Sequence, residues 1–161
     1  MSSRSADAAR WPHLAGRMEG SSHRLPVRVY YEDTDFSGFV YHANYLKFCE
    51  RGRSDWLRLL GLHHHELMRG DNVTSGMALG FVVRKLEAEF FKPAIIDDVL
   101  EVETSIISVT GARLNLLQTV WRDDTRLFEM KVTVAMVDGN GRPQRFAKDM
   151  LDRFSERALE P

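Results

Sequence analysis

Cysteine is almost absent from this chain: Cys49 is the single one among 161 residues, so no internal disulfide can form. Seven methionines without a cysteine pair suit a reducing compartment, and the cytoplasm is the expected location. An excess of charge is lacking too. The 22 basic and 23 acidic side chains leave a formal net charge of −1, so no overall field draws the molecule to nucleic acid or to an anionic membrane. Any anionic ligand has to be held by a local patch. No stretch approaches the roughly 20 apolar residues of a membrane helix, and Met1–Gly20 lacks the apolar run of a secretory signal. No G-x-S-x-G elbow, P-loop or G-x-G-x-x-G turn occurs, which removes the best support for serine-hydrolase and nucleotide-dependent chemistry. His63, His64 and His65 are consecutive and would point in different directions on a helix, and His65–Arg69 lacks the second histidine of H-E-x-x-H. No metal and no cofactor is expected.

The length suits one domain with a substantial core. Residues 1–24 are rich in Ser, Ala, Gly and Arg without a sustained period, which predicts a disordered extension outside the fold. The domain is expected over 25–141, with 142–161 as a C-terminal extension. From Pro26, the alternation of Val27, Val29 and Tyr31 predicts a strand that ends at the polar turn Thr34–Gly38. The period then lengthens. Tyr45, Phe48, Cys49, Gly52, Trp56, Leu59 and Leu60 recur every three to four residues, predicting a helix that starts near His42–Asn44 and stops at Gly61. Cys49 lies on that apolar stripe and reads as a buried structural thiol.

Strand-like runs follow at about 78–91, 99–109, 113–122 and 126–138, separated by credible turn residues. In the first of them the apolar phase slips between Val83 and Leu86, predicting an irregularity at Arg84 or Lys85. Short turns between strands and a single long apolar helix favour an α+β fold with an antiparallel sheet wrapped on that helix. Phe146, Met150 and Phe154 recur every four residues and predict a short helix or a last edge strand.

The segment VRVYYEDTDFSGFVYHANYLKFCERGR, continued by GFVVRKLEAEFFKPAIIDDVLEVET at 80–104, resembles the hotdog-fold thioesterases related to 4-hydroxybenzoyl-CoA thioesterase. Within that family it is most similar to the acyl-CoA thioesterases associated with the Tol-Pal envelope system. The resemblance covers most of 26–138. It implies an antiparallel sheet around a long helix, homodimers or homotetramers with active sites between subunits, and an acyl-CoA substrate or one carried on acyl carrier protein. The second acid of the family's D-x-D-x-x-G signature, its catalytic acid, falls on Asp35. Asp33 is then the first acid and Gly38 the glycine, while His42 matches the histidine of Val-Tyr-His. Relatives usually carry small residues or proline where Phe36 and Ser37 stand, and an aromatic beside the carboxylate would narrow the acyl pocket.

A thioester carbonyl needs a nucleophile or an activated water. Asp35 can attack it to form a mixed anhydride or can deprotonate water, and the sequence leaves both open. Backbone N–H groups of Tyr41, His42 and Ala43, where the helix begins, are the candidates for holding the oxyanion. His42 can add a side-chain donor. Arg84, Lys85 and Lys92 are candidates for gripping the phosphates of coenzyme A. Other classes that the segment admits are a noncatalytic scaffold for acyl carrier protein or envelope-biogenesis partners, and a hydratase or dehydratase of acyl thioesters.

Overall fold

The structure is a computed structural model that describes residues 14–69 and 78–158, the side chain of His65 excepted. Its elements run β1 (Arg17–Glu19), β2 (Ser22–Arg28), a 3-10 turn at Tyr31–Asp33, α1 (Asn44–Leu59), α2 (His64–Arg69), β3 (Leu79–Phe90), β4 (Val99–Val109), β5 (Arg113–Arg122), β6 (Thr125–Asp138), β7 (Pro143–Gln144) and α3 (Lys148–Ser155). The strands make one antiparallel sheet in the order β1-β2-β4-β5-β6-β3, with β7 beside β6. Helix α1 packs on one face, against β2, β4 and β5. This is the α+β arrangement expected.

The alternation in the sequence sets the two faces of the sheet. In β5 the side chains of Leu114, Leu116, Gln118 and Val120 are buried, while Arg113, Asn115, Leu117 and Trp121 are not. Each leucine so buried stabilises the fold by about 1.5–3 kcal/mol. Gln118 is the polar exception in that row, and its amide is satisfied by Cys49 O at 2.8 Å and Thr104 Oγ1 at 2.9 Å. Helix α1 answers with Tyr45, Phe48, Cys49, Gly52 and Trp56, all buried. Leu57 joins them rather than Leu59, which is exposed. At Gly52 the helix approaches so closely that a Cβ would lie 2.9 Å from Val102 Cγ1. The helix stops where expected, at Gly61, whose φ of 80° is in the left-handed region, with the Leu62 N–H donating back to Leu57 O.

The slip foreseen in β3 is a bulge: the register with β6 shifts between Val83 and Lys85, so Arg84 is the extra residue. Phe81 and Val83 before it, and Ala88 and Phe90 after it, belong to opposite phases of a regular strand. The extra residue lets both halves turn toward the helix side.

Two boundaries differ from expectation. Residues 1–13 lie outside the described part of the chain, but 17–24 are not an extension, because they form β1 and the first half of β2. His23 is fully buried, with Nε2 2.7 Å from Asp55 Oδ2 in α1, and the same oxygen accepts the Gly16 N–H at 2.9 Å. Pairing with β4 and this polar latch hold the segment, with Met18 its one apolar side chain against the core, which is why hydrophobic periodicity missed it. At its other end the strand stops at Arg28, and Tyr31 sits exposed on the 3-10 turn. The C-terminal segment is likewise part of the body. Of the two forms expected there, α3 is the helix; Phe154 stacks on Trp56 with ring centroids 5.7 Å apart, and Arg153 donates to Leu60 O at the end of α1.

Two substitutions test this packing. Asp55→Ala leaves His23 and the Gly16 N–H without their acceptor and is expected to cost about 3 kcal/mol in denaturant unfolding. Gly52→Ala drives a methyl into Val102 and should cost about 1–3 kcal/mol, visible as a lower Tm.

Candidate active site

The chain between β2 and α1 is shaped by Asp33. This residue is buried; its carboxylate accepts the Tyr30 N–H at 2.8 Å, and its carbonyl accepts both the Tyr41 N–H at 2.9 Å and the Asn44 side-chain amide at 2.8 Å. Both ends of the loop are thereby tied to the first turn of α1. Inside it, Thr34 pairs with Val40, and Phe39 pairs with Ile95 of the β3–β4 connection. Asp35 opens a tight turn in which Gly38 donates to Asp35 O at 3.0 Å and adopts a φ of 84°, a conformation that favours glycine.

Asp35 is exposed at this turn. Its Oδ1 accepts the Ser37 N–H at 2.8 Å and also the Ser37 hydroxyl. The Ser37 hydroxyl, then the Ser37 N–H, and more weakly the nearby His42 hold the carboxyl below the usual carboxylate range. Both bonds fall on Oδ1, so among the described residues Oδ2 is left for water or substrate. A cleft of about 290 Å³ opens beside it, lined by Asp35, Ser37, Phe39, Val40, His42, Tyr45, Phe90, Phe91, Lys92 and Pro93. His42 is exposed, with its ring edge-on to Phe90 at 6.3 Å.

The structure therefore brings Asp35, His42 and Lys92 together. It does not bring the other two cations. Arg84 is the bulged, exposed residue of β3, and Lys85 is ion-paired with Glu87 at 2.9 Å and lines a separate groove with Lys131. The backbone donors also divide. Tyr41 is removed as an oxyanion donor because its N–H is spent on Asp33 O, whereas the N–H groups of His42 and Ala43 have no acceptor among the described residues. Ala43 is the N-cap of α1, so both groups lie at the positive end of the helix dipole. Phe36 does not narrow the cleft: it is fully exposed at the tip of the turn and is not part of the lining.

Two contributors escaped the sequence reading. Tyr45, assigned there only to the core stripe, lines the cleft, stacks on Phe128 at 5.1 Å, and accepts the Ala94 N–H on its hydroxyl. Burial, the leading cause, raises its pKa and keeps the phenol neutral. Asn44 holds the loop to the helix through Asp33 O. An aromatic at the first turn of a helix that opens on a loop carboxylate was the available signal for Tyr45. Cys49, by contrast, is buried as expected, and burial pushes its thiol up to about 12.

An antiparallel sheet packed on one long helix, with a carboxylate loop feeding that helix, defines the hotdog class of thioesterase. The chain belongs to the Thioesterase superfamily, whose family model matches residues 37–129. It is 40% identical over 135 residues to the acyl-CoA thioester hydrolase YbgC of Escherichia coli O6:H1, spanning 83% of this chain and 96% of that one. The acyl-CoA thioesterase YbgC of Haemophilus influenzae is 41% identical over 131 residues, 81% of this chain and 92% of its own. Among solved structures, a probable thioesterase from Bartonella henselae superposes with a TM-score of 0.75 at 42% identity, covering 78% of this chain and 99% of the other.

The Ser37 hydroxyl gives the carboxylate a measurable signature. A depressed pKa means that Asp35 stays ionised as pH falls through the ordinary carboxylate range and protonates only below it. Ser37→Ala should move the midpoint upward, toward the usual aspartate value, and carboxyl-detected NMR titration of Asp35 in both proteins reads the shift.

Proposed function

We propose that this protein hydrolyses acyl-CoA thioesters to the free acid and coenzyme A at the cleft of Asp35 and His42. The observation that carries the reading is Asp35 Oδ2, which has no hydrogen-bond partner among the described residues, beside the N–H groups of His42 and Ala43 at the start of α1, which likewise have no acceptor among them. Thioester hydrolysis needs that pairing of an anionic base or nucleophile with donors for the oxyanion. The names of the two YbgC relatives supply the substrate class.

In this reading the thioester carbonyl lies over the first turn of α1 with its oxygen toward His42 and Ala43. The tetrahedral charge is stabilised there, and removing one preorganised donor of this kind costs about 2.7–4 kcal/mol in other enzymes. Asp35 Oδ2 either attacks the carbonyl carbon, expelling the CoA thiolate and leaving a mixed anhydride for water to open, or takes a proton from the attacking water. The thiolate leaves protonated by solvent or by His42. Tyr45, Phe90 and Phe91 give the reacting group an apolar wall, and Lys92 at the rim offers a cation to the CoA phosphates.

The working unit is a homo-oligomer. Strand β3 ends the sheet, has twelve residues, and exposes Val82, Val83, Leu86 and Phe90, a long apolar edge that a second copy covers by pairing with it. Arg84 and Lys85 sit in the middle of that edge, so any part they play in CoA binding passes through the assembled dimer. Among the described residues no helix is long and apolar enough to cross a membrane. The cytoplasm, which keeps Cys49 reduced, is the proposed compartment.

Thiol release from a panel of acyl-CoAs, with the same acyl groups on acyl carrier protein, tests the activity and ranks the two carriers. Asp35→Asn is expected to lower kcat at least a hundredfold; a fully active variant would sink the proposal. Lys92→Ala should raise KM for acyl-CoA several-fold with little change in kcat, and the difference from wild type should shrink as salt is added. Equilibrium sedimentation is expected to give a mass of at least twice 18.5 kDa.

A further inference from the structure

The Asp35 side chain is exposed and bonds to Ser37 of its own turn, so its place over the start of α1 is set by whatever holds that turn. Asp33 holds the side that leaves β2. The returning side is held from outside the loop: the Asp35 N–H donates to Phe39 O at 2.9 Å, Phe39 bridges to Ile95, and the Val40 N–H donates to Ala94 O at 2.9 Å. The turn therefore lies where the β3–β4 connection puts it. That connection, between Phe90 and Val99, is neither helix nor strand. It includes Asp97 at a φ of 71°, a left-handed conformation that residues with a β-carbon seldom adopt.

Side chains brace it instead. Asp98 folds back over the tight turn Ile95–Asp98: its Oδ2 accepts the Ile95 N–H at 3.0 Å, and its own N–H donates to Ile95 O at 3.2 Å. The same Oδ2 accepts a charge-assisted hydrogen bond from Arg122 Nη1 at 2.8 Å, and that nitrogen also reaches Pro93 O at 3.3 Å. Arg122 is the last residue of β5, an interior strand paired with β4 on one edge and β6 on the other. The brace thus starts from a rigid element, as the support of a reacting group requires.

We infer that Arg122 and Asp98 are positioning residues for thioester hydrolysis, fixing the β3–β4 connection to β5 and, through Ile95 and Phe39, fixing Asp35 against the N–H groups of His42 and Ala43. Neither lines the cleft. Their effect passes through geometry, and a misplacement of about 1 Å can cost about 10²-fold in rate. Tyr45 also holds the connection, accepting the Ala94 N–H at 3.2 Å, so loss of Arg122 loosens it without freeing it. The inference rests on the thioesterase reading, since the placement of Asp35 matters to the rate only if Asp35 reacts.

The test is thiol release from acyl-CoA by the full chain. Arg122→Met keeps the aliphatic stem and removes both bonds; it is expected to lower kcat about tenfold and leave KM within about twofold of wild type. Arg122→Lys should recover part of the loss. Asp98→Ala removes the Ile95 contact as well and should cost more, and the double variant Arg122→Met/Asp98→Ala should be no worse than Asp98→Ala alone, because one brace has been lost in both. Amide NMR shifts of Arg122→Met are expected at residues 35–40. Wild-type kcat in Arg122→Met would overturn the inference. So would a raised KM at unchanged kcat, which would make Arg122 a cation for CoA, or an additive loss in the double variant. If the Met or Ala variants do not fold, Arg122→Lys decides alone: a reduced kcat at unchanged KM supports the inference and a wild-type kcat overturns it. Failure of the thioesterase reading looks different, since Asp35→Asn would then be fully active, or no acyl-CoA would release thiol, while Arg122→Met still shifted the amides of 35–40.

Discussion

Asp33 receives hydrogen bonds at its carboxylate from Tyr30 and at its carbonyl from Tyr41 and Asn44, and the geometry of the reactive end of the molecule hangs on those three contacts. They close the loop between β2 and α1 and fix where the helix starts. Asp35, two residues on, is then carried on a turn whose direction is already set, next to N–H groups that the helix leaves open. The same contacts consume the Tyr41 N–H, so structure and chemistry compete for one donor and structure takes it. A hydrogen bond to a carboxylate is typically worth about 1.5–3 kcal/mol and one to a backbone carbonyl about 0.5–1.5 kcal/mol, together enough to hold an otherwise exposed loop in one arrangement.

Much of this was legible in the residues. The change of period from alternation to three-and-four spacing located β3–β6 and α1 to within a residue or two, and the phase slip at Val83–Leu86 located the bulge at Arg84. Those signals survive because side-chain burial repeats along the strand or helix that carries it. Strand β2 before Leu25 was hidden because His23 and Ser22 are held by polar partners distant in sequence, Asp55 and Ser105. Tyr41 could not be ruled out as a donor because no residue type reveals where its own N–H is spent. The cations failed for a related reason. Lys92, Arg84 and Lys85 look alike in sequence, yet the fold separates them by sheet face and by the bulge, leaving Lys92 alone beside Asp35.

Strand β3 shows how one extra residue shapes a whole flank. Phe90 borders the cleft of Asp35, Phe81 and Val83 border the space against Leu57 of α1, and Arg84 lies between them. In an uninterrupted strand one of those sets would face away from α1. The bulge lets both walls be built from one strand, on the edge that a second copy is proposed to cover.

Helix α1 is fastened at both ends, by Asn44 on Asp33 at its start and by Arg153 of α3 on the Leu60 carbonyl at its finish. The second fastening comes from a segment translated long after the helix itself. At roughly 5–20 residues per second, the ribosome needs about 5–20 s to pass from Leu60 to Phe154. During that interval Trp56 lacks the ring that will stack on it, and the last turn of the helix has an open carbonyl. The end of the central helix is therefore completed only when nearly the whole chain has been made, so the packing around Trp56 closes last.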